Sequence, residues 1–284
     1  MAIIQATPYV VLDSHVHFYS AYPPADFFNC AHDNARMAMA SAGGFTPVLC
    51  FTETYRDHWF ARFAELAEGG EAELGRKMGP WRAQRTAELD SLILLGPEGA
   101  TITLIAGRQL ITHEKLEVLA LGVWEPLQEG LYLSDSLNLI QEHGGIAVIP
   151  WAVGKWLGKR GKVVEQILCD ENRQGIWLGD NSGRPRFWGE PHPFKIAHQR
   201  GIAILHGSDP LPLPGQYKKV CRFGTKINAS LDMSHPSRTL KQVLTNPQTH
   251  IENYGELETT WGFIYRQTRL RLQRKNSVPI PQEN

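Results

Sequence analysis

The sequence predicts an α/β fold, either a barrel or a doubly wound sheet, and three observations carry that prediction. Seven short apolar runs recur along the chain, helical patterns lie between several of them, and several runs are nearly continuous Val, Ile and Leu. Continuous apolar character marks a strand buried on both faces, as parallel strands under helices are. The runs are residues 9–12, 47–51, 101–106, 116–121, 145–150, 175–178 and 201–205. Between the first two, residues 26–42 place Phe27, Phe28, Ala31, Ala35 and Ala38 at helical spacing and stop at Gly43-Gly44, which makes one βαβ unit. Residues 56–68 put Trp59, Phe60, Phe63, Ala64 and Ala67 on one helical face before Gly69-Gly70. No obvious helix joins 51 to 101; instead 91–95, Gly96-Pro97-Glu98-Gly99 and 101–106 read as a hairpin. A third helix is expected over 131–142. Helical patterns return at 238–244 and 257–275 after a Pro-rich stretch at Pro210, Pro212 and Pro214. The expected organisation is one domain over 1–284, with a hairpin insertion at 88–100, a helical C-terminal extension from about 236 and a frayed last ten residues.

Composition narrows the function classes. The 284 residues carry 29 Lys and Arg against 29 Asp and Glu, so the bulk attraction expected of a general nucleic-acid binder is missing. The longest apolar runs fall far short of the ~20 residues of a membrane helix, and residues 1–12 lack a basic start and a cleavage site; a cytoplasmic protein with no membrane partner is expected. Cys30, Cys50, Cys169 and Cys221 are far apart with no CxxC pair, so reduced core thiols are expected rather than a zinc ribbon or a disulfide scaffold.

The chemistry gathers at two strand ends. Asp13-Ser14-His15-Val16-His17 follows the first run, and strand alternation puts His15 and His17 on one face at the C-terminal end, where barrel active sites are built. Two such imidazoles can bind one divalent metal, and alternation puts Asp13 on the same face, one step deeper. The last run continues into His206-Gly207-Ser208-Asp209, which delivers a carboxylate to the same mouth as ligand or general base. His206 lies nearer the strand interior, where a hydrogen-bonded core residue is expected, with membership of the site as the alternative.

The opening Asp-x-His-x-His, the late Gly-Ser-Asp and the intervening Glu142-His143-Gly144-Gly145-Ile146-Ala147-Val148-Ile149-Pro150 resemble the polymerase and histidinol phosphatase (PHP) family over roughly residues 10–211. The resemblance implies a distorted seven-stranded (β/α) barrel that hydrolyses phosphoesters with a cluster of metals. Amidohydrolase barrels share the HxH opening and the late aspartate. Three positions depart from the family pattern: Gln109 stands where a bridging carboxylate is usual, Trp151 where a ligand histidine is usual, and Leu211 in place of the histidine two residues after the aspartate. The expectation is therefore a divalent metal (Zn, Mn or Fe) held by His15, His17 and Asp209, with fewer than three ions.

Around that centre, Glu53, just past the second run, is the candidate for a further ligand or a general base. Lys155, Asn181, Arg184 and Arg186, in loops after the fifth and sixth runs, are candidates for holding an anionic substrate, with Trp151, Trp156, Phe187 and Trp188 beside them. Lys159, Arg160 and Lys162 read as a solvated helix start, and Arg266, Arg269, Arg271, Arg274 and Lys275 as a solvated helical face with nucleic-acid contact as the alternative. Glu117, at the start of a strand, is expected at the stability end of the barrel. No phosphate loop or Gly-x-Ser-x-Gly elbow is present. The leading expectation is a metal-dependent hydrolase of a phosphoester or other anionic small molecule. The alternatives are a degenerate barrel that binds a ligand, nucleic acid or protein without turnover, and an amidohydrolase-like enzyme cleaving a C–N bond.

Overall fold

All seven predicted strand segments enter one sheet, joined among the described residues by four further strands. The computed structural model describes residues 8–39 and 43–276; the expected helix end at Ala42 and the tail beyond Asn276 lie outside the described residues. The elements are β1 (Tyr9–Val16), α1 (Pro24–Ala38), β2 (Phe45–Glu53), α2 (Trp59–Ala67), α3 (Ala72–Lys77), β3 (Arg82–Arg85), β4 (Ser91–Leu95), β5 (Thr101–Ile111), β6 (Glu117–Leu121) and α4 (Leu133–Glu142). They continue as β7 (Ile146–Pro150), α5 (Lys159–Cys169), β8 (Ile176–Asn181), α6 (His192–Arg200), β9 (Ile204–Gly207), β10 (Gly224–Ile227), α7 (Pro236–Thr245), β11 (Ile251–Tyr254) and α8 (Thr260–Asn276).

The strand order is β11-β10-β1-β2-β5-β6-β7-β8-β9, with β3 and β4 attached as a side arm. The pairs β1/β2, β2/β5, β7/β8 and β8/β9 are parallel. Strand β5 is 11 residues long: its first half pairs antiparallel with β4 and its second half with β6. The β5–β6 connection is a tight turn closed by Thr112 N–H to Leu116 O at 2.9 Å, far too short for the crossover that a parallel neighbour needs. Strand β6 therefore runs against its neighbours β5 and β7, and its first residue, Glu117, lies at the mouth rather than at the opposite end where sequence order alone places it.

The ends of the path approach closure. Between β9 and β1 the joints are Ser14 Oγ donating to His206 O at 3.0 Å and Asp209 N–H donating to His15 O at 2.9 Å, in place of a ladder. The barrel interior is filled by Val10, Leu12, Val48, Cys50, Ile105, Leu119, Val148 and Leu205. The outer face of the same strands, with Val11, Leu49, Phe51 and Leu104, packs on Phe27, Phe28 and Phe63 from α1 and α2. A second outer cluster lies under α4, α5 and α6 around Leu137, Val164 and Ala197.

One irregularity sets the face of every functional residue on β1. Asp13 pairs with Leu49 and Val16 with Phe51, so β1 carries one extra residue, a β-bulge, between them. Before the bulge even-numbered residues face inward; after it odd-numbered ones do. His15 and His17 consequently point into the barrel, whereas Asp13 shares the outward face of Val11. Simple alternation had put all three on one face.

Glu53 ends β2 on the outward face. Its Oε1 accepts the N–H of Phe60 at 2.7 Å in the first turn of α2, and Arg108 Nη1 lies 3.5 Å from Oε2. Burial pushes its pKa up to about 7, against the opposing pull of the Phe60 hydrogen bond and Arg108.

Two tests follow from this geometry. A Cβ on Gly207 would stand 2.5 Å from His15 Cβ, so Gly207→Ala should destabilise the protein by about 1–3 kcal/mol. Gly99→Ala is strained by its φ of +80°, whereas Gly43→Ala, with no heavy atom of the described residues within 4 Å of its Cβ, should change stability by less than about 0.5 kcal/mol in the same urea titration. Because Glu53 holds its proton more tightly folded than at its ordinary 4.5, its contribution to stability is complete below pH 4.5 and is lost as pH rises through about 7. Glu53→Gln should flatten that part of the stability profile, by a slope approaching roughly one proton.

Candidate metal centre at the barrel mouth

Three side chains converge where β1 and β9 end. His15 Nε2 lies 3.1 Å from His17 Nε2 and 3.7 Å from Asp209 Oδ1, and His17 Nε2 lies 3.8 Å from Asp209 Oδ1. Donors bonded to one cation at about 2.0–2.1 Å stand roughly 3.0–3.4 Å apart, so small side-chain movements would bring all three onto a single ion. Gln109 joins from β5, its Oε1 3.0 Å from His15 Nε2. With one ring proton, His15 Nε2 cannot satisfy both His17 Nε2 and Gln109 Oε1, and a cation resolves that crowding of lone pairs. The donor set suits Zn, Mn or Fe.

Burial sets the electrostatics. Both imidazoles are buried, and desolvation pulls each pKa down to about 4; for His15 the Glu117 carboxylate opposes this, and for His17 the neighbouring His15 adds to it while Asp209 opposes it. Both rings are thus neutral near pH 7, the form that ligates metal. Burial pushes the Asp209 carboxyl above its ordinary range, opposed by His17 and by Arg266.

The supports of Asp209 are explicit. It sits at φ 44°, a left-handed conformation that a short polar residue tolerates, with its N–H on His15 O. Asn181 Nδ2 donates to Asp209 Oδ2 at 3.1 Å and to Trp151 O at 2.8 Å, while Asn181 Oδ1 accepts the Gly183 N–H at 2.9 Å. Asp13, fully buried, accepts the N–H groups of Ser208 and Cys221, each at 2.8 Å, and burial raises its pKa to about 6 although these bonds work against the shift.

Of the other sequence candidates, Asn181 and Lys155 reach the mouth, and Glu53, Arg184 and Arg186 are engaged elsewhere. Glu53 caps α2 on the outer face and does not reach the histidines. Arg184 is buried in a two-pronged bond to Asp180, with Nε 2.8 Å from Oδ1 and Nη2 2.6 Å from Oδ2, so its fork is committed to fastening the loop after β8. Arg186 is exposed and pairs with Glu256. Lys155 reaches the mouth, where its Nζ is 3.3 Å from Glu117 Oε1 and donates to Lys115 O. His206 stacks on Phe223 with ring centres 3.9 Å apart, outside the cluster.

Two residues of the mouth were missed by sequence reasoning. Sequence order alone puts Glu117 at the opposite end because it implies a parallel β6, whereas β6 is antiparallel to β5 and β7. Arg266, which its basic surroundings in the sequence mark as solvated, is 4% exposed. The span between runs 101–106 and 116–121 is too short for a crossover helix, which was the available signal for Glu117. At the rim, Trp188 lies 5.8 Å from Trp151 and 5.8 Å from Phe263 of α8, and Phe187 stacks beside Trp188. A cavity of about 650 Å³ opens at the other end of the barrel, where β8 and β9 begin. Its arginines are engaged: Arg173 donates to Ser134 O and Asn138, Arg200 to Leu168 O, and among the described residues no histidine lines it.

No family model matches the chain, and no curated protein matches it. Among solved structures it is similar to the lesion-specific endonuclease PfuEndoQ from Pyrococcus furiosus, at 12% identity and a TM-score of 0.47, over 87% of this chain and 59% of that one. It is also similar to PsfC from Pseudomonas syringae PB-5123, at 13% identity and a TM-score of 0.54, over 95% of this chain and all of PsfC. The likeness to PsfC concerns the fold alone, and it agrees with the mixed α/β barrel described above.

Proposed function

We propose that the protein is a metal-dependent hydrolase acting on a phosphoester or another anionic small molecule. The observation that carries this reading is the meeting of His15, His17 and Asp209 ligand atoms within 4.8 Å at the mouth of the barrel. The resemblance of Asp-x-His-x-His and Gly-Ser-Asp to the PHP motifs supports it from the sequence side. A divalent cation held there supplies Lewis-acid polarisation of the scissile bond and acidifies water.

The chain's own groups do the rest. His15 and His17, kept neutral by burial, present Nε2 lone pairs. Asp209 turns Oδ1 toward the histidines and Oδ2 toward Asn181, which leaves Oδ2 as the oxygen that could accept a proton from an entering water. Asn181 fixes that carboxylate and, through Trp151 O, ties it to the end of β7. Lys155 stands beside Glu117 at the mouth, within reach of an entering anion. The rim formed by Trp151, Trp188 and Phe263 suits a flat substituent on the substrate.

A second reading, a barrel that binds without turnover, is favoured by one feature: the neutral amide of Gln109 meets His15 where a carboxylate would strengthen metal binding. Elemental analysis after gentle purification separates the two. The hydrolase reading expects close to one metal per chain and its loss in His15→Ala combined with His17→Ala, with the circular dichroism of a folded protein retained. Metal below about 0.1 per chain, unrestored by Mn, Zn or Fe, would favour the binder. With a substrate in hand from a phosphoester screen, Asp209→Asn should lower turnover at least ~100-fold; wild-type rates in that variant would remove Asp209 from the chemistry.

A further inference from the structure

Helix α8 carries an arginine into the mouth of the barrel. Arg266 is buried while Arg269 and Arg271, on the same helix, are exposed. The helix is fastened by its leading segment: Glu258 exchanges backbone hydrogen bonds with the loop after β8, its N–H on Arg184 O and its carbonyl on the Arg186 N–H, both at 3.0 Å.

The guanidinium lies beside the metal centre. A Cβ on Gly183 would be 3.5 Å from Arg266 Nη2 and 2.9 Å from Asn181 Oδ1, so the missing side chain of Gly183 makes room for both groups. Asn181 is the residue whose amide holds Asp209. Arg266 is thus one side chain away from Asp209, and the two influence each other's charge without forming an ion pair among the described residues.

Its partners leave it incompletely satisfied. Nη2 is 2.6 Å from Glu258 Oε2, but that same oxygen is 2.7 Å from Lys219 Nζ, so one carboxylate faces two cations. Arg266 Nε is buried with no hydrogen-bond partner among the described residues. A buried donor without a partner is costly unless a ligand satisfies it.

We infer that Arg266 is the residue that binds the oxyanion of the substrate, gripping phosphoryl oxygens on the side away from His15, His17 and Asp209, and that the group it selects is a dianionic phosphate monoester. The charges favour the dianion: Arg266 and Lys219 against Glu258 leave one positive charge, and a divalent cation against Asp209 leaves another. A guanidinium fork matches adjacent oxygens of such a group. The inference rests on the metal-hydrolase reading and adds to it both the substrate class and a role for the C-terminal helix.

The test is calorimetric titration of inorganic phosphate into the full-length protein loaded with Zn or Mn. Wild type, Arg266→Gln, Arg266→Lys and Glu258→Gln are compared, with metal content measured on each. Arg266→Gln should weaken phosphate binding at least about tenfold at unchanged metal content, and Arg266→Lys should recover only part of the loss. Glu258→Gln, which removes the competing carboxylate, should leave phosphate affinity equal or tighter. If Arg266 served only to pin α8, Arg266→Gln and Glu258→Gln would lower the melting temperature together and phosphate affinity would not separate them.

Wild-type phosphate affinity in Arg266→Gln, an equal loss in Glu258→Gln, or no phosphate binding by the metal-loaded wild type would each overturn the inference. Should Arg266→Gln fail to fold, Arg266→Lys and Glu258→Gln still decide it. If the wild type takes up no metal through His15 and His17, the hydrolase reading fails and this inference with it. If metal binds and phosphate ignores Arg266, only this inference fails.

Discussion

A single buried carboxylate holds the working end of this barrel together. Asp13 sits just before the bulge in β1 and takes the N–H groups of Ser208 and Cys221, which belong to the segments entering and leaving the turn between β9 and β10. Two residues on, His15 offers its carbonyl to Asp209. The first strand thereby sets the backbone from which Asp209 projects, and its own bulge aims His15 and His17 at the same point. A carboxylate so desolvated tolerates burial because its acceptors are used; removing it would take away the acceptor of the buried Ser208, Cys221 and His15 N–H groups. Position in the sequence is far apart for these groups, but their geometry is one construction.

Around that construction the mouth is arranged as two ion-pair clusters on either side of a neutral, desolvated pair of imidazoles. Lys155 and Glu117 stand on the β6–β7 side, and Arg266, Lys219 and Glu258 on the α8 side. Each cluster mixes signs, so the protein is electrically neutral overall while its mouth has steep local fields. The arginines closer in sequence to the site, Arg184 and Arg186, do architectural work instead: one buries its charge against Asp180, and the other pairs with Glu256 at the surface.

The strands were legible because their burial is two-sided and their Val, Ile and Leu content nearly continuous; the HxH and the late aspartate were legible because they follow such runs directly. What could not be read was direction and phase. One residue of bulge in β1 turned Asp13 away from the histidines, and a short β5–β6 turn reversed β6 and brought Glu117 to the mouth. Strands β10 and β11, at four residues each, are too short and too polar to stand out. Arg266 was hidden for a different reason. Helix periodicity finds apolar faces, and a basic residue in a basic stretch shows its burial only when the loop after β8, with Gly183, is seen to receive it.

The joint between β9 and β1 has one further consequence. It is the line along which strand ladders stop, and it is closed by a few caps and side-chain bonds, so it is where local opening of the barrel costs least. A cation shared by His15, His17 and Asp209 would act as a cross-link across that line, closing a loop on the order of 200 residues and adding to the few side-chain bonds that join β9 to β1, β10 and β11. Ligand binding and breathing of the barrel would then be one equilibrium: amide exchange at Ser208, Asp209 and Cys221 would slow as the ion binds, and the affinity for the ion would include the free energy of keeping the first and ninth strands together.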